Sequence, residues 1–225
     1  MRSDEVHLWW IDADHAGEPT PALVARLSAT DRRRTAQLTS DADRRLFAVA
    51  HVALAGILDR YGATGAIDRR CPRCGDPEHG KPRVPSAAVD FSLSHAGRRA
   101  VAAVTPWPSL IGVDIECVSA NPGLDAMRRA LGPRVDDLEV AGRPAATWCR
   151  LEAVGKATGH GVLGAAPRVR LDAERPGDGG WLQAIDDERR PWQLRSLDPG
   201  DGYEGALAIV GDPHRIHERA WTPAG

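Results

Sequence analysis

Two short stretches of the chain hold residues whose types and spacing could do chemistry. Gly112-Val113-Asp114-Ile115-Glu116 sets two carboxylates two residues apart, and Glu152 precedes Lys156 by four. On a strand, residues two apart project to the same side, so Asp114 and Glu116 would stand together while Val113 and Ile115 face a core. On a helix, residues i and i+4 share a face. Gathered carboxylates repel, and burying them unpaired is costly; a divalent cation removes both difficulties. Oxygen-only ligands favour Mg²⁺, which keeps waters and takes one or two carboxylates plus substrate phosphates. Asp114, Glu116 and Glu152 are thus candidate metal ligands, with Lys156 set to neutralise a phosphate beside them. Each stretch alone has a plainer reading, as a solvated strand edge or as an intrahelical salt bridge.

The elements that must position these residues follow from periodicity. Residues 111–118 read as a strand and about 144–158 as a helix, with two helical stretches at roughly 122–141 between them. Upstream, residues 5–12 alternate as a first strand. A helix over about 27–38 carries Arg32, Arg33 and Arg34, and a stronger one runs from Ser40 or Asp41 to about Tyr61, with Leu46, Val49, Ala50, Ala53, Leu54, Ile57 and Leu58 at 3–4 spacing. Residues 62–90 are rich in Gly and Pro and read as loop. Short strands are expected at 91–95, 99–105, 168–173, 181–185, 192–197 and 205–211. Both parts of the chain run strand, helices, short strands. The expectation is an α+β fold of two similar α/β halves, 1–108 and 109–225, hinged at Thr105-Pro106-Trp107-Pro108-Ser109.

Composition bounds the function. The 225 residues are 42% hydrophobic with a formal net charge of −2, which suits a soluble globular chain and gives no sign of a polyanion partner. No apolar run reaches membrane length, and the acids near the N-terminus do not fit a secretory signal, so the cytoplasm is expected. Of 29 basic residues only Lys81 and Lys156 are lysine. A lysine is a compact point charge that the planar guanidinium does not mimic.

Taken together, four motifs resemble the 4'-phosphopantetheinyl transferases of the surfactin-synthetase type. They are Gly80-Lys81-Pro82, Phe91-Ser92-Leu93-Ser94-His95-Ala96, Gly112-Val113-Asp114-Ile115-Glu116, and Trp148 through Glu152-Ala153 to Lys156. The resemblance implies two similar α/β halves about a pseudo-twofold, with coenzyme A between them. It implies Mg²⁺-dependent transfer of the phosphopantetheine arm of coenzyme A to a serine of an apo acyl or peptidyl carrier protein of fatty-acid, polyketide or nonribosomal peptide assembly, by a monomer. Asp114, Glu116 and Glu152 then resemble the metal ligands, with Asp114, Glu152 and Lys156 as the catalytic set. Arg44, and with it Arg32 or Arg34, resemble the clamp on the 3'-phosphate; Lys81 and Pro82 resemble nucleotide-side contacts; Ser94, His95 and Lys156 resemble pyrophosphate contacts.

The chain departs from the family pattern at Leu151, where lysine is usual before the glutamate, and at Val135, where an acid is common and Asp136 and Asp137 lie adjacent. These departures keep open a weak or inactive homologue that binds coenzyme A or a carrier. A metal-dependent nucleotide hydrolase would use the same carboxylates without a carrier. Arg128, Arg129 and Arg134 are candidates for docking an acidic carrier helix. Cys71, Cys74 and His79 supply three ligands of a tetrahedral zinc site, which Cys117 or Cys149 completes only if the fold brings one close; a tight turn without metal is the other reading.

Overall fold

The computed structural model describes residues 1–18, 20–71, 74–77, 79–120, 144–160, 169–176, 180–212 and 214–223. The expected helices at 122–141, with Arg128, Arg129, Arg134, Val135, Asp136 and Asp137, lie outside the described residues.

Two sheets and their helices make up the fold. After β1 (Glu5–Asp12) come α1 (Thr20–Ala25), α2 (Ala29–Gln37) and α3 (Asp41–Asp59), then β2 (Val89–Ala96) and β3 (Arg99–Pro106). The second series is β4 (Ile111–Cys117), α4 (Pro144–Thr158), β5 (Val169–Pro176), β6 (Trp181–Asp186), β7 (Pro191–Leu197), β8 (Tyr203–Val210) and β9 (Arg215–Ala220). Ser28 and Ser40 cap α2 and α3, their hydroxyls accepting from the backbone N–H of Asp31 and Asp43, as the sequence signals require.

The first sheet runs β2-β3-β1-β9 and the second β4-β8-β7-β6-β5. The strand β9 has no counterpart among the expected strands. It pairs in parallel with β1, His7 opposite His217, so the C-terminal end of the chain crosses the expected division at residue 108 and closes the first sheet. Its sequence, RIHERA, is almost wholly exposed and so lacks the apolar alternation that would have marked it.

Burial explains the layering. The apolar face of α3, from Leu46 to Leu58, packs with Trp9, Ile11, Phe91, Ala100, Ala102 and Val104 on one side of the first sheet. The opposite side presents Val6, Leu8, Val101 and Ala103 to Ile111, Val113, Ile115, Leu207 and Ile209 of the second sheet. On the far side of that sheet, α4 buries Cys149, Ala153, Val154 and Ala157 against Trp192, Leu194, Ala206 and Ala208. The order is helix, sheet, sheet, helix, a mixed α/β arrangement. Among the described residues no helix is long and apolar enough to cross a membrane.

Polar residues on β2 join the sheets. β4 is an edge strand of its sheet, and an edge leaves alternate N–H groups without strand partners. Asp90, Ser92 and Ser94 point from β2 at those groups. The N–H of Ile111 donates to Asp90 Oδ2 at 3.0 Å, that of Val113 to Ser92 Oγ at 3.1 Å, and that of Ile115 to Ser94 Oγ at 3.3 Å. All three acceptors are buried. Left unpaired, each buried donor would cost about 1–3 kcal/mol. The alternation of Asp-Phe-Ser-Leu-Ser thus has two jobs: Phe91 and Leu93 pack toward α3 while the polar residues substitute for a missing neighbour strand.

Candidate active site

The acids sit where α4 crosses β4. Gly112 explains how closely the helix approaches: a Cβ there would collide with the Ala153 carbonyl oxygen and come within 2.7 Å of the Ala157 nitrogen. With no side chain at 112, the face of β4 that carries Asp114 and Glu116 lies directly beneath the helix face that carries Glu152 and Lys156.

Asp114 is 2% exposed. Its Oδ1 accepts from Ser94 Oγ at 2.9 Å and from Lys156 Nζ at 2.6 Å, while Lys156 Nζ also donates to Ser94 Oγ at 2.7 Å. Its other oxygen, Oδ2, is buried with no hydrogen-bond partner. Glu116 is held by the Trp148 side chain, and its pKa is raised first by burial and then by the Asp114 charge. Glu152 is pushed up to about 7 by burial, Asp114 and Glu116, with Lys156 opposing. Among the described residues one ammonium therefore serves three carboxylates, and one buried Asp114 oxygen is left without a hydrogen-bond partner. Hard oxygen donors with excess negative charge fit a divalent cation such as Mg²⁺. The three do not form a tight cage by themselves: among the described residues, the triads whose donor atoms lie within 4.8 Å are Cys71, Cys74, His79 and Glu5, His7, His217. A cation that keeps part of its water shell bridges such spacing.

Beside the acids lies a cleft of about 330 Å³, lined among others by Arg34, His51, Arg69, Lys81, His95 and Lys156. Lys156 belongs to both places, lining the cleft and touching Asp114. A second hollow of about 660 Å³ shares His51, Leu54 and Arg69 with it. His95 is exposed on the cleft, edge-on to Phe47 and His51. Crowding by the cleft walls, then His51 and Lys156, push its pKa down to about 4. The imidazole is therefore neutral at pH 7 and can take a proton when an anion arrives.

The other expected residues fall differently. Pro82 and the chain at Lys81 line the cleft, but the Lys81 ammonium turns inward, paired with Asp90 and donating to the Ile111 carbonyl at 2.9 Å. It thus joins β2 to β4 as the serines do. Arg32 donates to the Leu27 carbonyl at 2.6 Å, Arg44 pairs with Asp41 at 2.6 Å, and neither lines the cleft. Arg34 does, together with Arg69, which sequence reasoning missed. Arg69 donates to Asp31 at 3.4 Å, and burial lowers its pKa. The one signal for it was its place just before the cysteine loop, in a segment legible only as turn. Leu151 is 4% exposed, so its side chain fills core. Cys117 and Cys149 do not join Cys71, Cys74 and His79; Cys149 is buried on the core face of α4, its thiol held protonated by burial and by Asp114 and Glu116.

No family model matches the chain. The chain is 29% identical over 222 residues to the 4'-phosphopantetheinyl transferase HetI of Nostoc sp., covering 94% of this chain and 90% of that protein. The class that these observations define is a transferase. The resemblance to the 4'-phosphopantetheinyl transferases, carried by four motifs, extends over nearly the whole length.

Proposed function

We propose that this protein transfers the 4'-phosphopantetheine moiety of coenzyme A to a serine of an apo carrier protein of fatty-acid, polyketide or nonribosomal peptide assembly. The observation that carries the reading is Lys156, which lines the cleft and at the same time donates to Asp114. A diphosphate lying in the cleft would meet Lys156 and His95 at the edge of the acid cluster. Asp114, Glu116 and Glu152 are the residues that would hold Mg²⁺, which when bound supplies positive charge to the phosphate oxygens. The buried, unpartnered Asp114 Oδ2 supports that assignment.

In this reading Glu152 takes the proton of the carrier serine as its oxygen bonds to phosphorus. The phosphoanhydride bond opens, and adenosine 3',5'-bisphosphate leaves. Lys156 opposes the charge gathering on the phosphate oxygens. Arg34 and Arg69 line the cleft and would be the guanidinium groups that meet the 3'-phosphate, since a dianion recruits bidentate charge-assisted bonds. The two hollows that meet at His51 and Arg69 give room for a ligand as long as coenzyme A.

The test is intact-mass analysis of apo carrier proteins after incubation with the chain, coenzyme A and Mg²⁺, with an EDTA control. The gain of one phosphopantetheine arm, abolished by EDTA, is the expected result. Bound coenzyme A with no gain on fatty-acid, polyketide or peptide carriers would refute the assignment.

A further inference from the structure

The loop between α3 and β2 places Cys71 Sγ, Cys74 Sγ and a ring nitrogen of His79 within 4.8 Å of one another, although the residues span nine positions of the chain. Cys74 Sγ lies 3.0 Å from His79 Nε2. The backbone is arranged around this cluster. At the base, Asp68 and Arg83 exchange both backbone hydrogen bonds at 2.8 Å. Above them the Gly80 N–H donates to the Arg69 carbonyl at 2.7 Å, and a Cβ at Gly80 would meet the Arg70 carbonyl oxygen at 2.5 Å. Around the first cysteine, the Cys71 N–H donates to the Asp76 carbonyl at 2.7 Å and the Gly75 N–H to the Cys71 carbonyl at 2.9 Å. Gly75, directly after the second cysteine, has φ of 76°, a conformation open to glycine at little cost. These contacts fold the loop back so that His79 reaches the two cysteines.

Two thiolates and an imidazole form a soft donor set of tetrahedral character, which selects zinc over Mg²⁺. We infer that Cys71, Cys74 and His79 bind one zinc ion, with a solvent molecule as fourth ligand, separate from the carboxylate cluster. Cys71 is buried while Cys74 and His79 are exposed, which leaves the fourth position on the solvent side. The ion also has a mechanical role. His79, Gly80, Lys81 and Pro82 line the 330 Å³ cleft, so a metal that fixes His79 fixes that wall. This second part rests on the cleft being the coenzyme A site; the metal content does not.

The experiment is metal analysis of the full-length protein, purified reduced and then loaded with Zn²⁺ or, as a spectroscopic probe, Co²⁺. One equivalent is expected, with thiolate-to-cobalt charge-transfer absorption and the visible bands of a tetrahedral centre. Cys74→Ser, at an exposed position, should lose both. His79→Cys should keep the metal with stronger charge-transfer absorption. His217→Gln, in the other donor triad, should keep it unchanged. No charge-transfer band in the reduced protein, or a band that survives Cys74→Ser, overturns the site. A disulfide between Cys71 and Cys74 that forms in place of metal uptake under the same reducing buffer overturns it as well. Zinc removal followed by restored Mg²⁺ should weaken coenzyme A binding several-fold; unchanged affinity overturns the fastening role. Because metal content is read without transferase activity, failure here and failure of the transfer assay are distinguishable.

Discussion

Ser94 Oγ lies 2.9 Å from Asp114 Oδ1, and these two residues belong to different sheets. The hydroxyl donates to the carboxylate, accepts from Lys156 and accepts from the Ile115 N–H. A strand of the first sheet thereby fixes a carboxylate of the second, and with it the lysine of α4. Ser94→Ala would leave the Ile115 N–H without its acceptor and take from Lys156 one of its two acceptors, leaving Asp114. The expected cost is about 1–3 kcal/mol of stability, measured by urea unfolding, with kcat falling further than kcat of Ser92→Ala, which disturbs only the ladder.

Gly112 is where β4 and α4 meet backbone to backbone. Gly112→Ala forces the helix outward and shifts Glu152 and Lys156 relative to Asp114. Stability should drop by about 1–3 kcal/mol, and transfer activity should fall by more than tenfold even at temperatures where the variant is fully folded. An active, normally stable Gly112→Ala protein would show that the close approach is not needed.

Glu152 gives a pH signature. Its folded pKa of about 7 stands above the ordinary 4.5, so between those values the folded state holds a proton that the unfolded state has released. Stability of the metal-free protein should therefore be highest below about pH 4.5 as far as this group is concerned, fall as pH rises to about 7, and level off above. Melting temperatures in EDTA across pH 5–8 would read this slope, which Mg²⁺ should flatten or reverse. Titration with Mg²⁺ near pH 6.5 should also release protons, seen as a dependence of the binding heat on buffer ionisation. A binding heat independent of buffer would count against Glu152 as a ligand.

Lys81 and Asp90 form a buried pair at the junction of the sheets, the ammonium 3% and the carboxylate 1% exposed. Lys81→Met leaves the carboxylate unpaired in the core and should cost about 3–5 kcal/mol. Adding Asp90→Asn should recover part of that loss, because the amide oxygen can still accept from the Ile111 N–H. A double-mutant cycle by chemical denaturation measures the coupling; additive effects would mean the pair is not an energetic unit.

Leu151 stands where the phosphopantetheinyl transferase pattern that the chain resembles carries lysine, and here the position is buried. Leu151→Lys should destabilise the protein by about 2–3 kcal/mol, without a gain in transfer rate. A stable variant with higher activity would instead locate this side chain at the carrier surface.

Much of this protein is settled by sequence alone. Serines at 28 and 40 begin α2 and α3, and the 3–4 spacing from Leu46 to Leu58 makes the core face of α3. The two-residue spacing of Asp114 and Glu116 and the four-residue spacing of Glu152 and Lys156 set which side chains can share a face, since those periods belong to the backbone itself. Three things were decided only in the folded chain. Lys81 turned inward because Asp90 and the Ile111 carbonyl, 9 and 30 positions away, offered a buried partner set. Arg34 rather than Arg32 came to the cleft, because a helical run of arginines points in several directions and only packing chooses among them, and Arg69 joined it from the loop after α3. The strand β9 joined β1 through backbone hydrogen bonds, which leave no mark on side-chain pattern when both faces are wet. Local spacing is written in the chain; which distant groups satisfy one another is written only in the packing.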